Sequence, residues 1–367
     1  MKKGLRCAVI SAGVVLAVGS AQAVDLTIVS WGGAYTVSQQ KAYHTPYMEV
    51  NPDVNIINDD SAAEGLAKLR EQIESGDVIW DIIDMTAADA IVACREGLIE
   101  EIDPDAWLAP APDGTSASED FFAGTLTPGG TNCFIPQVVY STTFGYRTDA
   151  FEGRKPSTIT DVFDLEAFPG KRALEKKPIA NLEWALIADG VAVEDIYEVL
   201  STPEGVDRAF SKLDTIKDHV VWWSKGEEPP QLLADGEVVI ASAYNGRLFS
   251  AIAEKNQPVA MLWDWQVFDL GGWVVPKGVE NLDAVKAYLR FATDTQRLAD
   301  QTKYIPYGPT RYSSGPLIGT HAELGIDMRP HMPTYEKNAN TVLNFNYVWW
   351  ADHRAELDEQ FNDWLAR

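Results

Sequence analysis

Aromatic side chains stand beside carboxylates at several points of this chain, each directly after a short apolar run, and that pairing is suited to holding an organic cation. Trp31 and Tyr35 flank the glycine pair Gly32-Gly33, and Thr86 follows Ile82-Ile83-Asp84. Trp222 and Trp223 end a further run, Tyr244 opens Tyr244-Asn245-Gly246-Arg247, and Trp263-Asp264-Trp265 precedes Asp269. An aromatic face attracts an ammonium by up to about 2 kcal/mol when desolvated, and a carboxylate fixes the same nitrogen through charge-assisted hydrogen bonds. Trp31, Tyr35, Thr86, Trp223, Tyr244 and Asp269 are therefore the candidate ligand-binding residues of an amine cage. Twelve tryptophans cannot share one pocket, so Trp107, Trp184, Trp350 and Trp364 are assigned to cores and helix packing.

Covalent chemistry finds little support. The chain has no G-x-S-x-G elbow, no phosphate-binding G-x-x-x-x-G-K-[ST] loop, no G-x-G-x-x-G and no H-E-x-x-H. Its five histidines, at positions 44, 219, 321, 331 and 353, are never spaced as metal ligands. Neither a metal nor a cofactor is expected. A secreted hydrolase using cleft carboxylates is the alternative from a different class.

The elements that must position the candidates alternate strand and helix. Leu26 to Ser30, Val54 to Asn58 and Val78 to Asp84 read as short strands, separated by helical stretches at about 36–50, 61–75 and 87–96. Such βαβ units build a largely parallel sheet with helices on both faces, and open sheets of this kind bind ligands at the carboxyl ends of their strands. Val138 to Tyr146, Val220 to Trp223, Val238 to Ala243 and Val259 to Trp263 predict a second sheet, with Gly272 to Pro276 as a further strand. Thr202 is placed to cap a helix starting at Pro203, whose Val206, Ala209, Phe210 and Leu213 share a face, followed by Ile216. Helices at 281–294 and 351–366 follow, the last with Leu357, Phe361, Trp364 and Leu365 in one stripe. No linker divides the sheets, so the chain is expected to cross between two lobes more than once, near 136–140 and 265–271, leaving a cleft with a stiff hinge.

Lys2, Lys3 and Arg6, the apolar run Cys7 to Ser20 and Ala21-Gln22-Ala23 have the order of a cleaved secretion signal, residues 1–23. Cleavage takes three positive charges and no negative ones, moving the formal charge from −24 to −27. Nucleic acid, which needs clustered Lys and Arg, is excluded as a partner. Acidity also steers cations, but salt screens that effect within about 8 Å. Outside the cytoplasm the two remaining cysteines, Cys94 and Cys133, are expected to form a disulfide that staples the Pro-, Gly-, Asp- and Ser-rich segment 103–132.

Trp31-Gly32-Gly33-Ala34-Tyr35, Trp80-Asp81-Ile82-Ile83-Asp84, Arg95-Glu96-Gly97-Leu98-Ile99, Tyr244-Asn245-Gly246 and Gly272-Trp273-Val274-Val275-Pro276 resemble, in order and spacing, the spermidine/putrescine-binding proteins. The resemblance implies an α/β, two-lobed periplasmic binding protein fold of type II-like character. Each lobe would be a mixed, mostly parallel sheet flanked by helices, one built from 24–137 plus 271–330 and the other from 138–270 plus 331–367. It implies a monomeric periplasmic receptor that captures a polyamine by hinge closure and docks on an ABC permease with its ATPase. By motif, Trp31 and Tyr35 match the aromatic pair on the polyamine chain, Thr86 matches a serine, and Tyr244 matches an indole of the aromatic box. Two departures matter. Asp269 and Gly271 stand where the polyamine binders have a tryptophan and then an acid, and Arg247 stands where a small neutral residue is usual. An inward Arg247 would hold a carboxylate in its planar fork while Asp269 or Glu183 held an ammonium, selecting a zwitterion such as γ-aminobutyrate. An outward Arg247 leaves a diamine favoured.

Overall fold

The computed structural model describes residues 23–367, so the segment read as a secretion signal lies outside the described residues except for Ala23. Ten strands form one sheet: β1 (Val24–Val29), β2 (Val54–Asp59), β3 (Ile82–Thr86), β4 (Ile135–Arg147), β5 (Arg172–Glu175), β6 (Val220–Trp223), β7 (Ile240–Tyr244), β8 (Val259–Val274), β9 (Gly308–Pro309) and β10 (Val342–Asn344). Their order is β2-β1-β3-β8-β4-β7-β5-β6, with β9 on β4 and β10 on β8. Strands β2, β1 and β3 pair in parallel at one end, and β7, β5 and β6 at the other.

Two separate sheets were expected, and the centre of the molecule is where that expectation fails. Val259–Trp263 and the Gly272–Val274 part of the second predicted strand belong to one 16-residue strand, β8, which runs antiparallel to the 13-residue β4. The polar and glycine residues between them are a bulged stretch rather than a break; Trp265 adopts a positive φ of 49° and pairing resumes beyond it. Register shifts in β4 at Pro136/Val138 and Thr142/Phe144 bracket the segment that carries Tyr140 opposite Asp269. Bulges re-aim side chains and bend strands, and here they fall on either side of Tyr140.

Each end has its own core. Leu26, Ile28, Ile82, Trp273, Tyr288 and Leu289 pack at the β1 end, and Phe144, Leu174, Trp184, Leu213, Trp350 and Phe361 at the β5 end. The helix Pro203–Asp214 starts as its sequence predicts, with Thr202 Oγ1 accepting from the Gly205 amide at 3.1 Å. The C-terminal helix begins earlier than expected, at Tyr347, and buries Leu357, Phe361 and Trp364, with Leu365 half-buried. Strand β5 has no sequence forecast because its first residue is arginine. Arg172 is nonetheless fully buried, its guanidinium donating to the carbonyls of Val162, Gly170 and Asp164.

Cys94 and Cys133 form the expected disulfide, with Cα atoms 5.9 Å apart, and tie the end of the helix Ala87–Arg95 to the entry of β4. Closing a loop of this length is worth about 4 kcal/mol in the chain-entropy model. The segment 103–132 is better anchored than its composition suggests. Leu108 and Phe121 are buried, and Asp120 accepts from the buried Arg311 at 2.6 Å.

Candidate ligand-binding site

The chain leaves β1 at Val29 and turns through Trp31-Gly32 into the helix Gly33–Gln39, which sets Trp31 and Tyr35 at the carboxyl edge of the first lobe's strands. Tyr35 is buried, and its ring lies 5.9 Å from that of Tyr307. Tyr307 lies 5.9 Å from Tyr140, Tyr140 meets Tyr244 edge-on at 5.8 Å, and Tyr244 meets Trp223 edge-on at 5.8 Å. A row of aromatic rings thus spans the hinge strands from one lobe to the other. Trp31 is half-buried and packs against the Tyr35–Tyr307 group.

Charged groups border this row. Asp269, on β8, is 8% exposed; its Oδ2 accepts from Tyr140 Oη at 2.6 Å and its Oδ1 from the Leu270 amide at 2.7 Å. Burial pushes its pKa up to about 6, although both hydrogen bonds and the positive charge of Lys177 pull the other way. It also lines a cavity of about 320 Å³ with Phe268, Phe345, Tyr347, Thr125 and Asn344 among the walls. That volume is in the range of small-molecule sites.

Arg247 faces inward. It sits in the helix Asn245–Phe249 that follows β7, is 8% exposed, and reaches across to the first lobe, where Nη2 donates to Gly32 O at 2.8 Å and Trp31 O at 3.4 Å. Gly33 has a φ of 56°, which favours glycine, and a Cβ there would push the tip of the Arg247 side chain aside. Arg247 Nε is buried without a partner. Gly226 passes close to both Arg247 Nε and the Tyr244 ring, placing the arginine beside the aromatic row.

The remaining sequence candidates divide. Tyr244 is half-buried and caps β7, donating from Oη to Glu175 Oε1 at 2.9 Å. Thr86 stands opposite Gly271 in the sheet, but its hydroxyl is engaged as the cap of the helix Ala87–Arg95, accepting from the Asp89 amide and donating to Asp89 Oδ2. Trp223 is buried behind Tyr244 with Nε1 on Ser242 Oγ, so it supports the row from the core side. Glu183 requires correction. It is fully buried beneath the C-terminal helix, where Oε1 accepts from Trp350 Nε1 at 2.7 Å and Tyr197 Oη at 3.3 Å, and it is not brought to the aromatic row. The hydroxyl of Tyr35 likewise turns into the lobe core, donating to Gln137 Oε1 and to Asp84 Oδ1. Tyr140, Tyr307, Glu175 and Lys177 escaped the sequence reading. Their signal was a strand register and a strand end, neither visible in composition.

Asp84 lies below Tyr35, fully buried, accepting from Gln39 Nε2 at 2.9 Å with no cation among its hydrogen-bond partners. Burial pushes Asp84 and Glu183 each up to about 7. Both groups hold their proton more tightly folded than unfolded, so the native state binds more protons and stability falls as pH rises through 7. The urea midpoint is expected to be higher at pH 6.5 than at pH 8, by on the order of 1–2 kcal/mol in unfolding free energy. Asp84→Asn should stabilise the protein at pH 8 and flatten that dependence; a midpoint identical at both pH values in the wild type refutes the assignment. His44, buried and held down to about 4, opposes the trend from about pH 4 up to about 7, where the unfolded histidine still binds protons.

Among the described residues, no group of three or more His, Cys, Asp or Glu side chains could hold a metal ion. The arrangement supplies opposite charges, aromatic walls and a crossing between lobes, which are the parts of a site that encloses a small polar solute.

Comparison with known proteins gives the family. The γ-aminobutyric acid-binding protein of Pseudomonas aeruginosa is 35% identical over 351 residues, 96% of this chain and 94% of its own. A solved GABA receptor is 30% identical with a TM-score of 0.77, covering 94% of this chain and 98% of that one. The binding protein MotA of A. tumefaciens B6, solved in complex with glucopine, is 27% identical with a TM-score of 0.81, covering 93% of this chain and all of that one. The model of the bacterial extracellular solute-binding proteins matches residues 42–334, and with these relatives it shows that the chain belongs to that family.

Proposed function

We propose that this protein captures a small zwitterionic ω-amino acid of the γ-aminobutyrate type between its lobes and delivers it to an inner-membrane permease and ATPase. The family makes the chain a solute-binding component of an ABC importer and not an enzyme, which sets the hydrolase alternative aside. The observation that carries the finer reading is the pair Arg247 and Asp269: opposite charges, both 8% exposed, bordering one aromatic row. A diamine would leave Arg247 facing a second cation, whereas a zwitterion gives each buried charge a partner. The polyamine expectation accordingly yields to its alternative, and relatives named for γ-aminobutyrate support the change. In this reading the lobes are 24–137 plus 271–330 and 138–270 plus 331–367, the receptor acts as a monomer, and the signal 1–23 directs it to the periplasm.

Calorimetric titration with γ-aminobutyrate and putrescine tests the proposal with two ligands of equal carbon length. The amino acid is expected to bind at least about tenfold more tightly, the effect of 1.4 kcal/mol or more. Preference for putrescine overturns the reading.

A further inference from the structure

The cleft holds a second cation that the Arg247–Asp269 pairing does not use. Lys177 stands two residues beyond β5, at the carboxyl end of a strand flanked by β7 and β6, where an open α/β sheet presents its ligand. Its main chain is held in place, N–H donating to Glu175 O and the carbonyl accepting from Asn181 Nδ2 at 2.7 Å. The side chain is 28% exposed; Nζ lies 2.8 Å from Glu175 Oε2 and 3.5 Å from Tyr244 Oη, and 5.8 Å from the centre of the Tyr244 ring. Tyr244 in turn abuts Tyr140, which holds Asp269. Lys177 and Glu175 therefore form an ion pair on the second-lobe wall of the same aromatic row.

Asp269, Glu175, Lys177 and Arg247 contact the second-lobe part of this row, and the buried Asp84 accepts from Tyr35 at its other end. Arg354 from the C-terminal helix is paired with Asp89 at 2.6 Å and adds no free cation. Arg247 places Nη2 on the carbonyls of Trp31 and Gly32, while the sole carboxylate within ion-pair distance of Lys177 among the described residues is Glu175. Lys177 Nζ lies 3.5 Å from Tyr244 Oη, so a diamine whose second ammonium packs on Tyr244 meets a cation there, its charge offset in part by Glu175. We propose that Lys177 is a specificity-determining residue of this site, rejecting diamines and contributing to the hold on the carboxylate end of a zwitterion. The proposal rests on the zwitterion reading and extends it to a residue outside the arginine–aspartate pair. The positive charge that Lys177 exerts on Asp269 accords with their shared surroundings.

Titration of wild type, Lys177→Gln and Lys177→Arg with γ-aminobutyrate and with putrescine tests it. The Gln variant is expected to bind γ-aminobutyrate about tenfold more weakly and putrescine several-fold more tightly, while the Arg variant keeps the wild-type preference. Lys177→Met, neutral and of similar reach, replaces the Gln variant should that one fail to fold. A preference unchanged in the neutral variant, with wild type still favouring γ-aminobutyrate, overturns the role of Lys177 and leaves the zwitterion reading intact. A wild type that favours putrescine or binds neither ligand overturns that reading and this inference with it.

Discussion

Replacing Asp269 by asparagine is expected to weaken γ-aminobutyrate binding by at least about 100-fold, because it leaves a desolvated ammonium without its anion, a loss of about 3 kcal/mol or more. Shape is nearly conserved in this variant. Tyr140 Oη can still donate to the amide oxygen, as it now donates to Oδ2, so a loss of affinity reports charge rather than collapse of the strand pair. The same carboxylate predicts a pH dependence. Burial pushes it up to about 6, and a bound ammonium favours the ionised form, so binding releases a proton wherever the free site is protonated. Affinity should be flat near pH 7.5 and above, then fall as pH drops through 6, reaching about tenfold weaker at pH 5. Asp269→Asn should bind weakly and without that slope. An asparagine variant of full affinity removes Asp269 from the site.

Arg247→Ala is the second large effect. Its guanidinium links the second lobe to the backbone of the first and presents a buried, unpartnered Nε, so truncation removes both a carboxylate partner and a contact that exists only when the lobes approach. Affinity for γ-aminobutyrate is expected to fall at least about 100-fold, the range for breaking a hydrogen-bonded buried charge pair. Putrescine binding should be unimpaired or improved. Lysine should not restore the loss, since a point charge cannot reproduce a planar fork that bonds two carbonyls and a carboxylate at once. Titration of both ligands against both variants checks this. Equal losses for amino acid and diamine would reduce Arg247 to a clasp between lobes.

These two residues show how far local pattern carried. Asp269 was legible as an acid near the carboxyl end of a strand, yet its partner Tyr140 lies 129 residues away and meets it only through the bulged register of β4 and β8. Arg247 was visible as a departure from a family motif, but whether it faced the cleft depended on how closely Gly33 lets the lobes approach. Glu183 illustrates the opposite failure. An acid in a helix-opening motif looked available to ligand until tertiary packing placed Trp350 and Tyr197 over it. Lys177 went unnoticed because β5, with a buried arginine in place of an apolar start, carried no strand signature.

The sequence by itself determined the α/β class, the disulfide partners and the aromatic turns, because apolar periodicity, a cysteine pair beyond the N-terminal segment and glycine-flanked rings are local properties. Tertiary structure alone decided which charges lie beside the aromatic row. Burial and pairing of a charge depend on atoms brought together across more than 100 residues by two long hinge strands, and no spacing along the chain encodes that meeting.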